Sequence, residues 1–325
     1  MNEKRIISGL DFFKLIGAFL IVYLHTYNRD CGLTGNWFLH VIASIGVPFF
    51  FIVSGFFYGK GLQRTNFSID YFKRYFHRIL VMYIAWTLIT LPVSWLCVVR
   101  GHPEFSLNFK IVYLFRMIFL SGSCGVYWYV LSLLYGSAII YFFMKRRLSK
   151  LLFVISVILF AVGVWYDSPY NNHNVLLQGI HVVLGSERNV LNVGLFYMCI
   201  GYFFATREVK IKPLYLILLF IGFAVLRTYE IRLLHINCLQ AILAIILFLY
   251  ALNCHIKISD ENSIMMRKLS TVMYLVHYPF ILLFDFYLRR GSIIDIPVAI
   301  CVCLIAYLII TKGLPQKCQK VLIGS

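Results

Sequence analysis

The chain has 325 residues, of which 61% are hydrophobic and only 13% are charged. A soluble domain carries roughly 25% charged residues, so this composition excludes a water-facing globular protein and is typical of a chain whose solvent is lipid. The formal charge of +17 does not indicate nucleic-acid binding, because the basic residues flank apolar runs instead of forming one amphipathic face. It indicates orientation in a bilayer and contact with anionic headgroups.

Ten apolar stretches are long enough to cross the hydrocarbon core, which takes roughly 20 residues per helix. They lie at about 8–28, 37–59, 77–99, 126–144, 149–166, 190–206, 213–229, 236–254, 271–288 and 293–311. We therefore predict an all-α polytopic membrane protein, with a single membrane domain over residues 1–325 and no long soluble extension. Residues 109–121 are apolar but short, and are predicted to form an interfacial or re-entrant segment.

The distribution of basic residues favours a cytosolic N-terminus. When the ten stretches alternate from that side, the cytosolic segments hold 20 of the 30 Lys and Arg residues and the external segments hold nine. Lys14 is the remaining one, inside the first stretch. This asymmetry follows the positive-inside rule, so both termini are predicted to be cytosolic.

The nine cysteines show neither a CxxC pair nor the spacing of metal ligands, and no metal site is predicted. Most lie within apolar runs, where they are interpreted as small buried hydrophobes. Cys31 and Cys124 fall in predicted external segments, where a bridge between them is left open.

Three ionisable residues lie in the first stretch, and each is a functional hypothesis because charge inside a bilayer is costly. Asp11 and Lys14 are three residues apart on one helix face and can neutralise each other. Lys14 and His25 are eleven residues apart, so they share a face at an axial separation of about 16 Å. The alternative is that Lys14 snorkels to the cytosolic headgroups and His25 lies at the external interface.

Arg74 and Arg78 precede the third stretch and project from one side of a helix because they are four residues apart. Two guanidinium groups at this spacing can bind phosphates bidentately. The alternative is a plain positive-inside anchor.

Three further segments combine polar groups with irregular backbone or aromatic residues. The second stretch places Ser54 near a proline and two glycines, for which packing is the default role. Trp128 lies between two tyrosines, which an interfacial aromatic belt explains. The ninth stretch places Tyr274 and His277 just before Pro279, a helix-kinking residue.

Together these segments resemble the acyltransferase 3 family, bacterial integral-membrane enzymes that O-acetylate cell-surface glycans. The first helix of that family reads Asp, two residues, Arg, ten residues, His. Asp11, Lys14 and His25 take these positions, with lysine where arginine is usual. Lysine keeps the charge but lacks the planar fork of arginine.

The other four motifs follow in the family's order, and the resemblance extends to about Phe284. GVPFFFIVSGFFYGK is similar to the family's second-helix signature, in which Ser54 precedes a glycine and an aromatic residue. Arg74 and Arg78 match the family's Arg-x-x-x-Arg motif, and residues 127–131 are similar to its Leu-Trp-Phe-Leu element. The last match is to Ser-x-x-x-Tyr-Leu-x-His-x-Pro, whose positions are taken by Ser270, Tyr274, His277 and Pro279.

The resemblance implies that acetyl-CoA from the cytosol donates its acyl group to a hydroxyl of a polysaccharide or a lipid-linked sugar, with no permanently bound cofactor. Lys14, Arg74 and Arg78 would bind the CoA phosphates. Asp11 and His25 would form the catalytic site, with the His25 imidazole as general base.

Ser54, Trp128, Tyr274 and His277 would shape the substrate site in the same resemblance. His277 would either orient substrate and share the proton transfer or form a hydrogen bond at the helix kink. Relatives with a hydrolase-like or racemase domain act on peptidoglycan or serine, and this chain has neither domain. The sequence therefore predicts a stand-alone glycan modifier in a bacterial plasma membrane, and nothing in it indicates an oligomeric state.

The alternative function is a transporter or flippase, in which Asp11, Lys14 and His25 line a substrate or proton path. No inverted repeat is apparent in the sequence, and a transporter has no need of Arg74 and Arg78. A non-enzymatic scaffold leaves the charges of the first helix without explanation.

Overall fold

The computed structural model describes residues 7–26, 37–166, 190–230, 238–287 and 295–324. All the regular structure within these ranges is helical. The helices are α1 (Ser8–Thr26), α2 (Trp37–Ser44), α3 (Gly46–Arg64), α4 (Ile69–Gly101), α5 (Leu107–Arg116), α6 (Trp128–Lys145), α7 (Ser149–Tyr166), α8 (Leu195–Ala205), α9 (Pro213–Tyr229), α10 (Cys238–Asn253), α11 (Asp260–Tyr287), α12 (Asp295–Leu308) and α13 (Gln316–Ile323). Short turns of other helix types extend them at Met117–Ser121, Gly125–Tyr127, Val190–Gly194 and Ile309–Gly313.

Each of the ten predicted spans falls on helical structure. Among the described residues, six segments are both long enough and apolar enough to cross a membrane: Ser8–Thr26, Leu39–Arg64, Ile69–Gly101, Gly125–Lys145, Asp260–Tyr287 and Asp295–Gly313. The other four predicted spans coincide with shorter apolar helices: Ser149–Trp165, Leu191–Ala205, Pro213–Tyr229 and Cys238–Asn253. The protein is therefore an all-helical membrane protein with at least six segments of spanning length.

Polar caps explain why two helices begin earlier than their apolar stretches. The Ser68 hydroxyl accepts a hydrogen bond from the Asp70 N–H at 3.2 Å, so α4 starts at Ile69 instead of at 77. Ser259 likewise accepts from the Asn262 N–H at 3.3 Å, so α11 starts at Asp260 instead of at 271. The predicted span over 37–59 is also divided, because a turn at Ile45 separates α2 from α3.

Glycine contacts define how α3 runs against two neighbours. A Cβ on Gly201 of α8 would lie 2.0 Å from the Ile52 carbonyl oxygen, and one on Gly59 would lie 2.8 Å from the Ala205 Cβ. Both residue numbers increase together, so α3 and α8 run parallel with their backbones in close approach. Gly17 faces Phe50 whereas Gly46 faces Ile21, which makes α1 and α3 antiparallel. Both helix directions are those expected if the predicted spans cross the membrane in alternating directions.

The segment after α4 has the character of an interfacial element. α5 continues into the turn Met117–Ser121, where the Tyr83 hydroxyl donates to the Ile118 carbonyl and the Tyr135 hydroxyl donates to the Phe119 carbonyl at 3.1 Å. Its opposite face is apolar and exposed at Phe109, Val112, Phe115 and Phe119. The helix is present as the sequence predicts, and its position in the membrane stays a prediction.

Candidate functional site

Two helices that are distant in sequence, α1 and α11, run parallel and in register. The Ser263 hydroxyl of α11 donates to an Asp11 carboxylate oxygen at 2.8 Å. Fourteen residues further along both helices, the rings of His25 and His277 lie with their centroids 5.3 Å apart. Equal 14-residue spacings are two heptads, the repeat of parallel helices that pack with a left-handed twist. The two contacts are therefore separated by about 21 Å along the helix axes.

Asp11 is held by an arginine of α11 at one end of this pair. It is 0% exposed, and its two oxygens accept hydrogen bonds from Arg267 Nε at 2.9 Å and from Arg267 Nη2 at 2.6 Å. This bidentate arrangement is the strongest geometry for an ion pair. Asp11 therefore has an ion-pair partner, Arg267, that the sequence analysis did not name. The early start of α11 is the physical reason, because it places Arg267 on a helix opposite the carboxylate.

Lys14 lies one turn further along α1 and contacts an aromatic ring. Its Nζ is 5.6 Å from the centroid of the Phe50 ring of α3. Among the described residues, no carboxylate lies within 4.0 Å of this ammonium group. The Lys14 amino group is therefore available to an anionic group of a ligand.

An aromatic cluster continues from Phe50 toward the histidines. The ring centroids of Phe50 lie 6.2 Å from Tyr129 and 6.1 Å from Tyr274, and the two tyrosines lie 5.0 Å apart. The Ser54 hydroxyl is hydrogen-bonded to the Tyr129 hydroxyl at 2.9 Å. The cluster thus joins α3, α6 and α11, and brings together two of the predicted substrate-site residues, Ser54 and Tyr274.

Trp128 supports the same cluster from the start of α6. Its ring packs against Phe51 with centroids 5.4 Å apart, and Phe51 in turn lies 4.6 Å from Tyr129. Trp128 is only partly buried, so it forms the outer side of the cluster.

The proline of α11 explains how α6 and α11 are joined. Pro279 has no N–H, so the Leu275 carbonyl loses its donor within the helix. The Tyr127 hydroxyl replaces that donor at 2.8 Å. In return, the Tyr274 hydroxyl donates to the Val126 carbonyl. These reciprocal hydrogen bonds hold the segment of α11 before Pro279 against the turn that precedes α6.

His277 is fully buried two residues before Pro279, and its hydrogen bonding defines its tautomer. Its Nδ1 lies 2.8 Å from the Met273 carbonyl oxygen, so Nδ1 carries the proton and the neutral ring has its lone pair on Nε2. Nε2 is buried without a hydrogen-bond partner among the described residues. His25 lies between His277 and Tyr278, whose ring centroid is 4.8 Å from that of His25. The structure therefore brings both predicted histidines into one site.

Gly125 sets the position of the tyrosine that packs on His25. A Cβ at this position would lie 2.2 Å from Cε1 of Tyr278. We expect Gly125→Ala to displace the Tyr278 ring and to lower the turnover of the protein about 10- to 100-fold, the scale expected for a 1 Å misplacement in an active site. Gly222→Ala is the matched control, since nothing lies within 4 Å of a Cβ there. Equal activity in the two variants would contradict this role.

Arg74 and Arg78 lie on the exposed start of α4. Both side chains are exposed, and the Arg78 guanidinium carbon lies 5.3 Å from the centroid of the Tyr75 ring. Tyr75 packs on Tyr58, with centroids 4.4 Å apart. Among the described residues, no hydrogen bond, ion pair or ring contact joins either arginine to Lys14, so their joint role in binding phosphates stays a prediction.

Two ion pairs were not predicted from the sequence. Arg267 was counted as part of a cytosolic loop, although Ser263, Arg267, Ser270, Tyr274 and His277 follow a spacing of four and three residues that marks one helix face. Arg227 was placed in an external segment, but it is buried in α9 with Glu230. Glu230 also accepts from the Cys238 and Leu239 N–H groups, which stabilises the start of α10.

The question of a disulfide lies partly outside the described residues, because Cys31 is not among them. Cys124 is buried just before the turn that leads into α6. Within the described ranges, no group of three or more His, Cys, Asp or Glu side chains is placed to hold a metal ion.

These features define a class of protein: a helical membrane protein with ionisable groups along the contact of α1 and α11 and two histidines at one end. Residues 7–311 match the family model described as an acyltransferase domain, which covers nearly the whole chain. The chain belongs to the acyltransferase 3 family, and this membership supports an acyltransferase activity.

Two curated relatives are proteins from Enterococcus faecalis that are both named amino-acid racemase. One is 25% identical over 295 residues, which cover 84% of this chain and 41% of the relative. The other is 28% identical over 172 residues, which cover 52% of this chain and 23% of the relative. The chain thus spans less than half the length of these relatives. No solved structure matches it.

Proposed function

We propose that this protein transfers an acetyl group from cytosolic acetyl-CoA to a hydroxyl of a cell-surface polysaccharide or a lipid-linked sugar. The observation that carries the proposal is the pair of His25 and His277, which meet 5.3 Å apart inside the bundle of a chain of the acyltransferase 3 family. An imidazole placed against a second imidazole inside the bundle suits general-base chemistry on a hydroxyl. A bacterial plasma membrane is the proposed location.

The proposed topology has ten crossings in one membrane domain, with both termini in the cytosol. The positive-inside asymmetry supports it. The helix directions support it as well, because α1 and α11 are the first and ninth spans and run parallel, while α1 and α3 are the first and second and run antiparallel. Asp11 and Arg267 then lie toward the cytosol, and His25 lies toward the outer side.

Donor binding is assigned to the positive charges on the cytosolic side. Arg74 and Arg78 are exposed at the start of α4, where they can reach the phosphates of a soluble nucleotide. Lys14 has no carboxylate partner among the described residues and lies deeper, over Phe50. The acyl-pantetheine arm would extend from these charges along the aromatic cluster to His25, about 16 Å beyond Lys14.

The reaction follows from the properties of a thioester and an imidazole. The unprotonated nitrogen of His25 takes the proton of the acceptor hydroxyl as its oxygen attacks the thioester carbonyl carbon. The carbon–sulfur bond breaks, an oxygen ester forms, and the CoA sulfur takes the proton back from His25. No metal or resident cofactor is required in this sequence of steps.

Asp11 acts at a distance in this scheme. It lies about 21 Å from His25 along α1 and both of its oxygens are hydrogen-bonded to α11. It is therefore proposed as a positioning residue that sets the register of α1 on α11, and not as a direct partner of His25. Ser54, Trp128 and Tyr274 are proposed to form the wall along which the substrate lies.

The racemase activity named for the relatives is not proposed for this chain, since the matched region is less than half of either relative. The transporter alternative remains a defined outcome of the experiments. It requires that a small molecule crosses the membrane without forming an ester.

Binding of acetyl-CoA to the purified protein in detergent tests the donor site. We expect Arg74→Ala/Arg78→Ala to weaken binding roughly tenfold or more, because each charge-assisted contact to phosphate contributes about 1.5–3 kcal/mol. The control is Lys145→Ala/Arg146→Ala, which removes two exposed charges at another cytosolic loop. Equal weakening in both double variants would show a general charge effect, and no binding by the wild type would contradict acetyl-CoA as donor.

A further inference from the structure

We infer that His277 is a positioning residue for His25, and that its Nε2 accepts a hydrogen bond from the ring N–H of His25 during the reaction. The inference rests on the proposed function. It starts from an observation at His277: Nε2 is buried without a hydrogen-bond partner among the described residues, although Nδ1 already satisfies the Met273 carbonyl. A buried acceptor without a donor is unfavourable, so a donor is expected in the working state.

Among the described residues, Tyr274 and Tyr278 are the other hydroxyl-bearing rings that pack near His277. The Tyr274 hydroxyl is already used by the Val126 carbonyl, and the Tyr278 ring lies 6.3 Å away, centroid to centroid. The His25 ring lies 5.3 Å away. Two imidazoles joined by an in-line N–H···N bond of about 2.9 Å have centroids about 5.2 Å apart. Rotation of the His25 ring is therefore sufficient, without movement of either helix.

The bond gives His25 two separate nitrogens with defined tasks. One nitrogen carries the N–H that His277 accepts, so the other nitrogen has the lone pair that removes the hydroxyl proton. When His25 becomes protonated, the bond to His277 becomes charge-assisted, which stabilises the imidazolium in surroundings with little water. His277 itself neither gains nor loses a proton, since its Nδ1–H stays on the Met273 carbonyl.

The register of α1 and α11 makes this arrangement specific. The Asp11 contact fixes Ser263 opposite α1, and the same 14-residue step on both helices brings His277 opposite His25. The Tyr127 hydroxyl binds the Leu275 carbonyl, which Pro279 leaves without a donor, and so holds the part of α11 that carries His277. His277 is thus supported from two helices and is not a loosely placed core residue.

Two substitutions distinguish the roles of the two ring nitrogens of His277. Asparagine can place an amide N–H near the position of Nδ1 and keep the bond to Met273, but it has nothing at the position of Nε2. Glutamine can place its carbonyl oxygen near Nε2 and accept from His25. We expect His277→Asn to lower kcat about 100-fold relative to the wild type. We expect the kcat of His277→Gln to be about tenfold higher than that of His277→Asn. Acetyl-CoA binding and the thermal stability of His277→Asn should stay close to wild type.

The assay supplies [14C]acetyl-CoA to membrane vesicles of the source organism in which the wild-type or variant chain replaces the native copy. Transfer of label into the glycan and lipid-linked sugar fraction is measured against acetyl-CoA concentration, which separates kcat from KM. Full activity of His277→Asn, or less activity in His277→Gln than in His277→Asn, would overturn the inference. His277 would then have only a structural role, through its hydrogen bond to the Met273 carbonyl. Absence of transfer by the wild type would contradict the proposed function and with it this inference.

Discussion

His25→Ala is expected to reduce acetyl transfer about 10²- to 10⁴-fold, which is the contribution of a general base. The reason is its position: His25 is the residue on which His277 and Tyr278 converge, with ring centroids 5.3 Å and 4.8 Å away. The substitution should leave acetyl-CoA binding unchanged, because the cation of Lys14 is about 16 Å away along α1. Transfer of label from acetyl-CoA and equilibrium binding are the two measurements.

The control for this variant is His255→Ala, which removes an exposed imidazole in the connection after α10. It should retain wild-type transfer. Thermal unfolding in detergent shows whether His25→Ala is folded, so that a loss of activity is not confused with a loss of protein. Wild-type transfer by folded His25→Ala would disprove the assignment of the general base.

Asp11→Ala is expected to lower the free energy of unfolding by about 3 kcal/mol, because it leaves Arg267 without its partner in the membrane-embedded bundle. This is the lower end of the range for a buried ion pair, since the Arg267 side chain is 40% exposed. Arg267→Ala should have a similar effect, as it leaves the buried carboxylate of Asp11 with only Ser263. Denaturant or thermal unfolding of the purified protein measures both variants.

An exposed ion pair of the same protein provides the comparison. Lys210 and Glu208 are 87% and 85% exposed at a distance of 3.6 Å, and Glu208→Ala should change stability by less than about 1 kcal/mol. The double variant Asp11→Ala/Arg267→Ala should be more stable than the sum of the two single losses predicts, because the partners act as one unit. Additive losses no larger than that of Glu208→Ala would contradict the role of this pair in holding α1 on α11.

The class of fold could be predicted because lipid leaves few alternatives. Every backbone polar group in the hydrocarbon must be bonded within its own segment, so long apolar stretches are helices. Each of the ten stretches does fall on helical structure. Helix boundaries were predicted less well, because Ser68 and Ser259 cap α4 and α11 in polar sequence that hydropathy does not register.

The sequence singled out residues of the candidate site, but it did not indicate which of them contact each other. Asp11, Lys14, His25 and His277 were singled out because ionisable groups in apolar stretches are rare. The partner of Asp11 is 256 positions away in sequence, and sequence spacing along one helix cannot indicate which distant helix lies opposite. Lys14 was therefore the nearest available partner, whereas the fold supplies Arg267.

Arg267 was missed because the positive-inside rule already accounts for it, although its spacing on α11 also indicates a buried helix face. As a basic residue near the cytosolic end of a span it satisfies the positive-inside rule, and that explanation is complete without a partner. Its spacing of ten residues from His277 places both on one face of α11, which is the feature that a buried role requires. His277, for which the sequence left a substrate role and a hydrogen-bond role open, lies 2.8 Å from the Met273 carbonyl oxygen and beside the ring of His25, and its role stays a prediction.

The most direct test of acyl transfer uses acetyl-CoA labelled with 14C in the acetyl group and 3H in the CoA. Inside-out membrane vesicles that contain the wild-type chain are given this donor on their cytosolic face. We predict 14C in the glycan or lipid-linked sugar fraction, an equal amount of free 3H-CoA on the cytosolic face, and neither product with His25→Ala. Intact acetyl-CoA, or 14C that enters the vesicles without forming an ester, would contradict acyl transfer and favour a transporter.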